Sequence, residues 1–324
     1  MRVRKIGVLT SGGDGPGMNA AIRAVVRTAI YYNQRVFGIY KGYEGMINDY
    51  IEEFDSRKVG SIINTGGTIL QTARSKKFLT KEGRKKAFEN IKAHGIDSLV
   101  VIGGDGSLRG LHDFIKEFKI QGIGVPGTID NDLYGTDYTI GFDTAVNTAI
   151  EAIDKIRDTA TSHSRLFIIE VMGRHAGYIA MYSGIGGGAE SILIPETITD
   201  IKGLCEQLEA GHRRGKKSSI IIVAEGDEAG GAFDIKKKIE KEVDWEVRVS
   251  VLGHLQRGGS PTAIDRLLAS RLGYYAVKSI MKGETDKMVG IVNGKLELTP
   301  LKETWGKSKK IDRDLIKLSE ILAI

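Results

Sequence analysis

Short runs of β-branched and aliphatic residues recur along the chain at residues 6–9, 36–40, 99–102, 123–125, 166–171, 220–223, 247–252 and 289–292. Several are apolar throughout instead of alternating, which predicts strands covered on both faces, as in a parallel sheet flanked by crossover helices. Between them the period lengthens to that of a helix. Across residues 19–31, Ala21, Ile22, Val25, Val26, Ala29 and Ile30 make one apolar stripe, and across 145–156 so do Ala145, Val146, Ala149, Ile150, Ile153 and Ile156. Strands alternating with helices predict an α/β chain with mostly parallel sheets.

Glycine punctuates this pattern as pairs at Gly12-Gly13, Gly66-Gly67, Gly103-Gly104, Gly186-Gly187, Gly230-Gly231 and Gly258-Gly259. Several end or closely follow a predicted strand. In open α/β sheets ligands lie beyond the carboxyl ends of the strands, where glycine permits a sharp turn and close approach of backbone to phosphate. The pairs therefore mark where chemistry is expected. At 324 residues the chain exceeds the size at which one core usually stops growing, so two domains are expected.

Composition narrows the class. There is no run of about 18 apolar residues and no signal-peptide core at the start, so a cytosolic protein without membrane contact is expected. The formal charge of +6 suits small anionic ligands. Nucleic acid is not expected as a partner, because the basic runs at 212–217 and 236–238 lack interleaved aromatic residues. Both runs read as solvated faces. The single cysteine, Cys205, has no internal partner and reads as an ordinary helix residue.

Residues 10–19, Thr-Ser-Gly-Gly-Asp-Gly-Pro-Gly-Met-Asn, follow the first strand and open a helix, where free N–H groups would face an anion. Gly15 to Ala20 also fits the dinucleotide pattern G-x-G-x-x-A. Against a nicotinamide site, the second strand ends at Tyr40-Lys41 instead of an acidic residue that could hold a ribose. No P-loop pattern occurs, so a phosphate site here needs another cradle. In Gly103-Gly104-Asp105-Gly106-Ser107, Asp105 is either a carboxylate ligand for Mg²⁺ or a helix cap. Asp130 and Asp132, after another strand, are either a general base with its helper or simple turn residues. Arg74, Arg165, Arg174, Arg248 and Arg257 stand in turn-like or strand-end contexts, as phosphate forks or as plain surface. Arg23 and Arg27 share one face of the first helix, by themselves a solvated charge face.

Five strings, at 11–19, 103–107, 126–132, 172–177 (Met-Gly-Arg-His-Ala-Gly) and 252–259 (Leu-Gly-His-Leu-Gln-Arg-Gly-Gly), together resemble the bacterial ATP-dependent 6-phosphofructokinases. The resemblance is ordered and runs nearly end to end. It implies two α/β domains with the active site between them: 1–141 plus about 256–306 for ATP, and 142–255 plus about 307–324 for the sugar phosphate. It implies ATP against Gly13, Tyr43, Arg74, Ser75, Gly104, Asp105, Gly106 and Ser107, with Asp105 on Mg²⁺. Fructose 6-phosphate would meet Thr128, Ile129, Asp130, Met172, Gly173, Arg174, Glu225, His254, Leu255, Gln256 and Arg257, with Arg165 and Arg248 reaching it from a neighbouring subunit. Asp130 would be the base, Asp132 its support, and Thr128, Arg74 and Arg174 further catalytic residues.

By the same resemblance, Arg23, Arg27, Arg157, Gly188, Ala189, Glu190, Arg214, Lys216, Lys217 and Ser218 would form an effector site for ADP or phosphoenolpyruvate in a homotetramer. Pyrophosphate-using relatives typically carry Asp and Lys at the places of Gly106 and Gly127, so ATP is the expected donor. A side chain at Gly106 is expected to crowd the loop. Ser61 departs from the Asp of well-regulated relatives, and Ser75 from a common Cys. Two alternatives stand beside this reading. One is a related kinase acting on another acceptor, such as tagatose 6-phosphate or NAD. The other is a non-enzymatic nucleotide-sensing subunit, which would require loss of Asp130 or Asp105.

Overall fold

The structure, a computed structural model, describes residues 4–163, 166–216 and 218–323. Its strands are β1 (Lys5–Ser11), β2 (Arg35–Ile39), β3 (Ile51–Phe54), β4 (Ser98–Gly103), β5 (Gln121–Pro126), β6 (Leu166–Val171), β7 (Ser191–Leu193), β8 (Ser219–Ala224), β9 (Val247–Val251), β10 (Lys287–Val292) and β11 (Lys295–Pro300). Its helices are α1 (Met18–Tyr31), α2 (Gly42–Asn48), α3 (Lys81–Ala93), α4 (Asp105–Phe118), α5 (Phe142–His163), α6 (Tyr178–Gly186), α7 (Ile201–Arg213), α8 (Ala232–Ile239), α9 (Ala263–Met281), α10 (Leu301–Gly306) and α11 (Arg313–Leu322). The chain divides into two compact units. The first comprises Met1–Thr128, Leu133–Asp143 and Arg257–Lys309, the second Ile129–Asp132, Thr144–Gln256 and Lys310–Ile324.

The first unit holds a seven-stranded sheet in the order β11-β10-β5-β4-β1-β2-β3. Its five inner strands are parallel, and β3 and β11 join as antiparallel edges. The apolar runs follow from burial on two faces. Val100 and Ile102 of β4 pack with Ile22 and Val25 of α1 and Leu272 of α9. Leu99 and Val101, one residue out of step, pack with Leu108, Leu111 and Phe114 of α4. Each such fully buried side chain contributes about 1.5–3 kcal/mol. Helices α1 and α9 approach closely because Gly273 has no side chain: a Cβ there would lie 2.7 Å from Ala24 Cβ.

The second unit holds the four-stranded parallel sheet β7-β8-β6-β9. Leu204, Cys205 and Leu208 of α7 and Ile235 and Ile239 of α8 pack on Ile168, Ile221 and Val223. Cys205 is thus a core residue whose thiol is pushed up by burial. The two tryptophans fall one to each unit, Trp305 in α10 and Trp245 just before β9. Among the described residues no helix is long and apolar enough to cross a membrane.

Three strands lay outside the predicted set. Strand β3 is only Ile-Glu-Glu-Phe, and β7 is three residues long, too short for a period to register. For β11 a signal existed: Asn293-Gly294 between Val292 and Lys295, both with positive φ (50° and 77°), is a two-residue hairpin turn of the type right-twisted strands prefer.

Candidate active site

In the first sheet the chain moves outward from β1 to β2 and outward from β4 to β5, so the strand order reverses between β1 and β4. Crevices at such reversals are where open α/β sheets bind ligands. The loops leaving β1 and β4 lead into α1 and α4, whose N-caps, Gly17 and Gly104, offer no side-chain acceptor. By contrast Thr80, Asp200, Thr262 and Asp312 cap α3, α7, α9 and α11 with their side chains. Helices α2, α6, α8 and α10 also lack a side-chain cap, so it is the place of α1 and α4 at the reversal that makes their first-turn N–H groups the donors an anion there would take.

Four of the glycine pairs gather here. A Cβ on Gly103 would lie 2.5 Å from Ser11 O, and one on Gly66 would lie 2.4 Å from Gly259 O. Arg257 presses its guanidinium on Gly13, 2.5 Å from where a Cβ would sit, and donates to Asp14 O at 3.1 Å. Asn19, to which the sequence assigned no task, clamps the Gly66-Gly67 loop. Its Nδ2 donates to Thr65 Oγ1 (2.9 Å), and its Oδ1 accepts from Ile69 N (2.7 Å). Buried Tyr43 donates to Ser107 O at 2.6 Å and stacks on Phe78 at 3.9 Å. Burial raises its phenol far above the ordinary value. Ser75 donates to Glu44 at 2.5 Å, which lowers that carboxyl, and Arg74 stands exposed on the same loop.

Asp105 occupies the first turn of α4 and is ion-paired with Arg109 at 2.6 Å, whose guanidinium lies 5.4 Å from the Trp305 ring centre. Among the described residues no group of three or more His, Cys, Asp or Glu side chains could hold a metal. A lone carboxylate beside uncapped N–H groups suits Mg²⁺, which keeps several waters and shares phosphate oxygens. The loop after β5 joins the same cluster: Gly127 N–H bonds Gly103 O at 3.1 Å, and Thr128 O accepts from Thr139 Oγ1 at 2.6 Å.

In the second unit Ile129, Asp130 and Asn131 are buried, Asn131 with a left-handed backbone (φ 53°), while Asp132 is half-buried. Strand β6 runs into the turn 172–177, where Met172 is buried and Arg174 takes a φ of 54°. Gly173 has φ 146°, with Ala176 O only 2.3 Å from where its Cβ would be, so no side chain is accommodated there. Arg174 N donates to Glu225 Oε1 at 2.9 Å. The 3₁₀ turn Gly253–Arg257 sets His254 and Arg257 three residues apart, hence on one side of the turn. Gln256 is wholly buried, and its Oε1 lacks a hydrogen-bond partner among the described residues. Arg248 lies within β9, not at a strand end, and pairs with Glu246. Arg165 falls outside the described residues.

A profile of the phosphofructokinase family matches residues 5–280. The chain belongs to the phosphofructokinase family. It is 58% identical over 322 residues, 99% of this chain and all of the relative, to an ATP-dependent 6-phosphofructokinase of Thermus thermophilus. The structure of phosphofructokinase from Saccharomyces cerevisiae superimposes with a TM-score of 0.87 at 38% identity, covering 98% of this chain but 46% of that longer one. A pyrophosphate-dependent phosphofructokinase from Marinobacter aquaeolei gives 0.84 at 25% identity, covering 96% and 86%.

For a phosphofructokinase the two donor-marking glycines prove unlike. A Cβ at Gly106 meets nothing within 4 Å, so the expected crowding of the loop does not occur. At Gly127 a Cβ would lie 2.9 Å from Ile102 Cγ2 and 3.3 Å from Gly103 N, so packing itself demands glycine there. Another cluster surrounds buried Glu190 in the second unit. Its Oε1 pairs with Lys216 (3.1 Å) and more loosely with Arg157 (3.9 Å), and its Oε2 accepts from Ile220 N. Arg157 also donates to the carbonyls of Gly187 and Gly188, each at 2.6 Å, next to buried Ala189. Arg214 and Ala323 line a small pocket with Glu190 and Lys216, and Ser218 is half-buried nearby in sequence. The run 212–217 is therefore more than a solvated face, because buried Glu190 draws Lys216 inward. Likewise Lys236 and Lys238 donate to the carbonyls of Val247 (2.9 Å) and Ala229 (2.6 Å). Lys217 falls outside the described residues. Arg23 and Arg27 lie on α1 in the first unit, Arg23 half-buried with its proton affinity lowered by burial and then by Arg27.

Proposed function

We propose that the protein transfers the γ-phosphoryl group of ATP to the 1-hydroxyl of fructose 6-phosphate, giving fructose 1,6-bisphosphate and ADP. The observation that carries this is the end-to-end identity of 58% to the Thermus ATP-dependent 6-phosphofructokinase. The uncapped starts of α1 and α4 support it as an anion cradle.

In this reading Gly13, Tyr43, Arg74, Ser75 and Gly104 to Ser107 hold ATP. Asp130 accepts the proton of the 1-hydroxyl as its oxygen attacks the γ-phosphorus, and the β–γ bridging oxygen leaves with ADP. Asp132 orients that base, and Thr128 positions the acceptor. Arg74 and Arg174 offset charge on the transferring group. Met172, Gly173, Glu225, His254 and Arg257 hold the sugar phosphate, helped by Ile129, Leu255, Gln256, and Arg165 and Arg248 of a neighbouring subunit. Mg²⁺, held by Asp105, would neutralise charge on the phosphate oxygens. The cluster around Glu190, together with Arg23, Arg27 and Arg214, is an effector site for ADP or phosphoenolpyruvate in a homotetramer.

The test is an ADP-release assay with fructose 6-phosphate, comparing ATP and pyrophosphate with and without Mg²⁺. Turnover with pyrophosphate alone would remove the donor assignment. Asp130→Ser should lower kcat by about 10²- to 10⁴-fold, the contribution of a positioned base. An unchanged rate would take Asp130 out of that role.

A further inference from the structure

Three loops leave the carboxyl ends of neighbouring parallel strands in the second unit: 172–177 after β6, 194–200 after β7 and 225–231 after β8. Carboxylates knit them into a ring. Glu196 accepts the Gly177 N–H with both oxygens, at 2.9 and 3.1 Å. Glu225 accepts the Arg174 N–H at 2.9 Å. The loop bearing Glu196 is itself tied down, since Thr199 N donates to Glu228 Oε1 (2.7 Å) and Thr199 Oγ1 to Asp227 Oδ2 (3.0 Å). Asp227 is buried and also accepts the Ala229 N–H at 2.9 Å. Glu225, Asp227 and Glu228 share one loop, so the ring closes.

The turn at its centre needs holding. Arg174 has a left-handed backbone that a side-chain-bearing residue adopts at a cost, and such strain persists only where the surroundings over-determine it. Glu225 fixes the turn at Arg174 and Glu196 fixes it at Gly177. Glu196 also stands at the start of α6, whose N-cap Gly177 has no side chain of its own, a place that favours an anion.

We propose that Glu196 is a positioning residue for the sugar phosphate: it locks the far end of the turn presenting Met172, Gly173 and Arg174, with Thr199 and Asp227 locking Glu196's own loop. This rests on the reading above that the turn binds the acceptor. A misplacement of about 1 Å in a binding group is enough to cost one to two orders of magnitude.

Steady-state kinetics with ATP and fructose 6-phosphate varied separately test it. Glu196→Ala should raise KM for fructose 6-phosphate about ten-fold and leave KM for ATP within about two-fold. Glu196→Gln, whose amide oxygen still accepts the Gly177 N–H, should stay within about three-fold of wild type. Thr199→Val, which keeps Glu196 but cuts its loop's tie to Asp227, should raise the same KM about three-fold, and it serves if the alanine variant does not fold. An unchanged KM for fructose 6-phosphate in Glu196→Ala or Thr199→Val, or equal rises in both KM values, overturns the positioning role. Wild-type protein with no turnover of fructose 6-phosphate overturns the functional reading instead.

Discussion

Gly106 and Gly127 are both bare for reasons that differ, and substitution separates them. Gly127→Ala drives a methyl into Ile102 and the backbone of Gly103, a core overpacking worth about 1–3 kcal/mol, so thermal unfolding should move down by several degrees. Gly106→Ala has room and should unfold like wild type. It should nonetheless weaken ATP binding in a calorimetric titration if backbone approach to phosphate is what the loop provides. Arg109 is a second single-residue lever. Its ion pair with Asp105 is exposed, and such pairs contribute about 0.2–1 kcal/mol. If Asp105 holds Mg²⁺ as proposed, Arg109→Met should free the carboxylate and tighten Mg²⁺·ATP by up to about five-fold, read by the same titration. Of these residues, Gly106, Gly127 and Asp105 were visible in the sequence. Arg109 was passed over although its spacing was legible: it stands four residues after Asp105 on the predicted helix, the interval at which a carboxylate and an arginine meet.

Among elements, β3 is lined by ion pairs. It is an edge of four residues bound to β2 alone, with Glu53 on Arg35, Glu52 on Lys58 and Tyr40, and Asp55 just beyond it capped by the Lys58 and Arg57 N–H groups. Each of these carboxyls is held below its ordinary value, Glu53 chiefly by its bond from Arg35, Glu52 by that from Lys58, and Asp55 by the Lys58 N–H. A depressed folded-state value means stabilisation present above the unfolded value and lost as pH falls through the folded one. The protection factors of the amides of residues 51–54 should therefore fall below about pH 4, before those of β4. Protection at β3 unchanged down to pH 3 would show that backbone pairing alone holds it. The strands legible in the sequence were those long and apolar enough to be buried on two faces. Strand β3 escaped because its middle is acidic: its side chains answer to partners in the chain and not to a core.

For the molecule as a whole, neither unit is a continuous stretch, since the second takes in the four residues Ile129–Asp132 and the tail from Lys310. In that tail α11 packs against α6 and β7 with no fully buried side chain of its own, although Ile311 just before it is buried. Ending the chain after Lys309 should therefore lower the thermal midpoint by only a few degrees, measured by calorimetry. Much of the candidate site was readable because strand ends, glycine pairs and strings such as Gly-Gly-Asp-Gly are local. The ring of Glu196, Thr199 and Asp227 was not. Its members hold one another through loops joined by sheet order, and sheet order is not written at any single position.

The division of the two indoles between the units has a practical outcome. Trp305 touches Arg109, the partner of Asp105, and Trp245 packs against His212 at the end of α7. Replacing either by phenylalanine leaves a protein whose indole emission comes from one unit only. A rapid-mixing trace of the Trp245→Phe form would then time events around Arg109 and Asp105, and the Trp305→Phe form would time events at the end of α7. One chain thus carries two clocks, one in each unit.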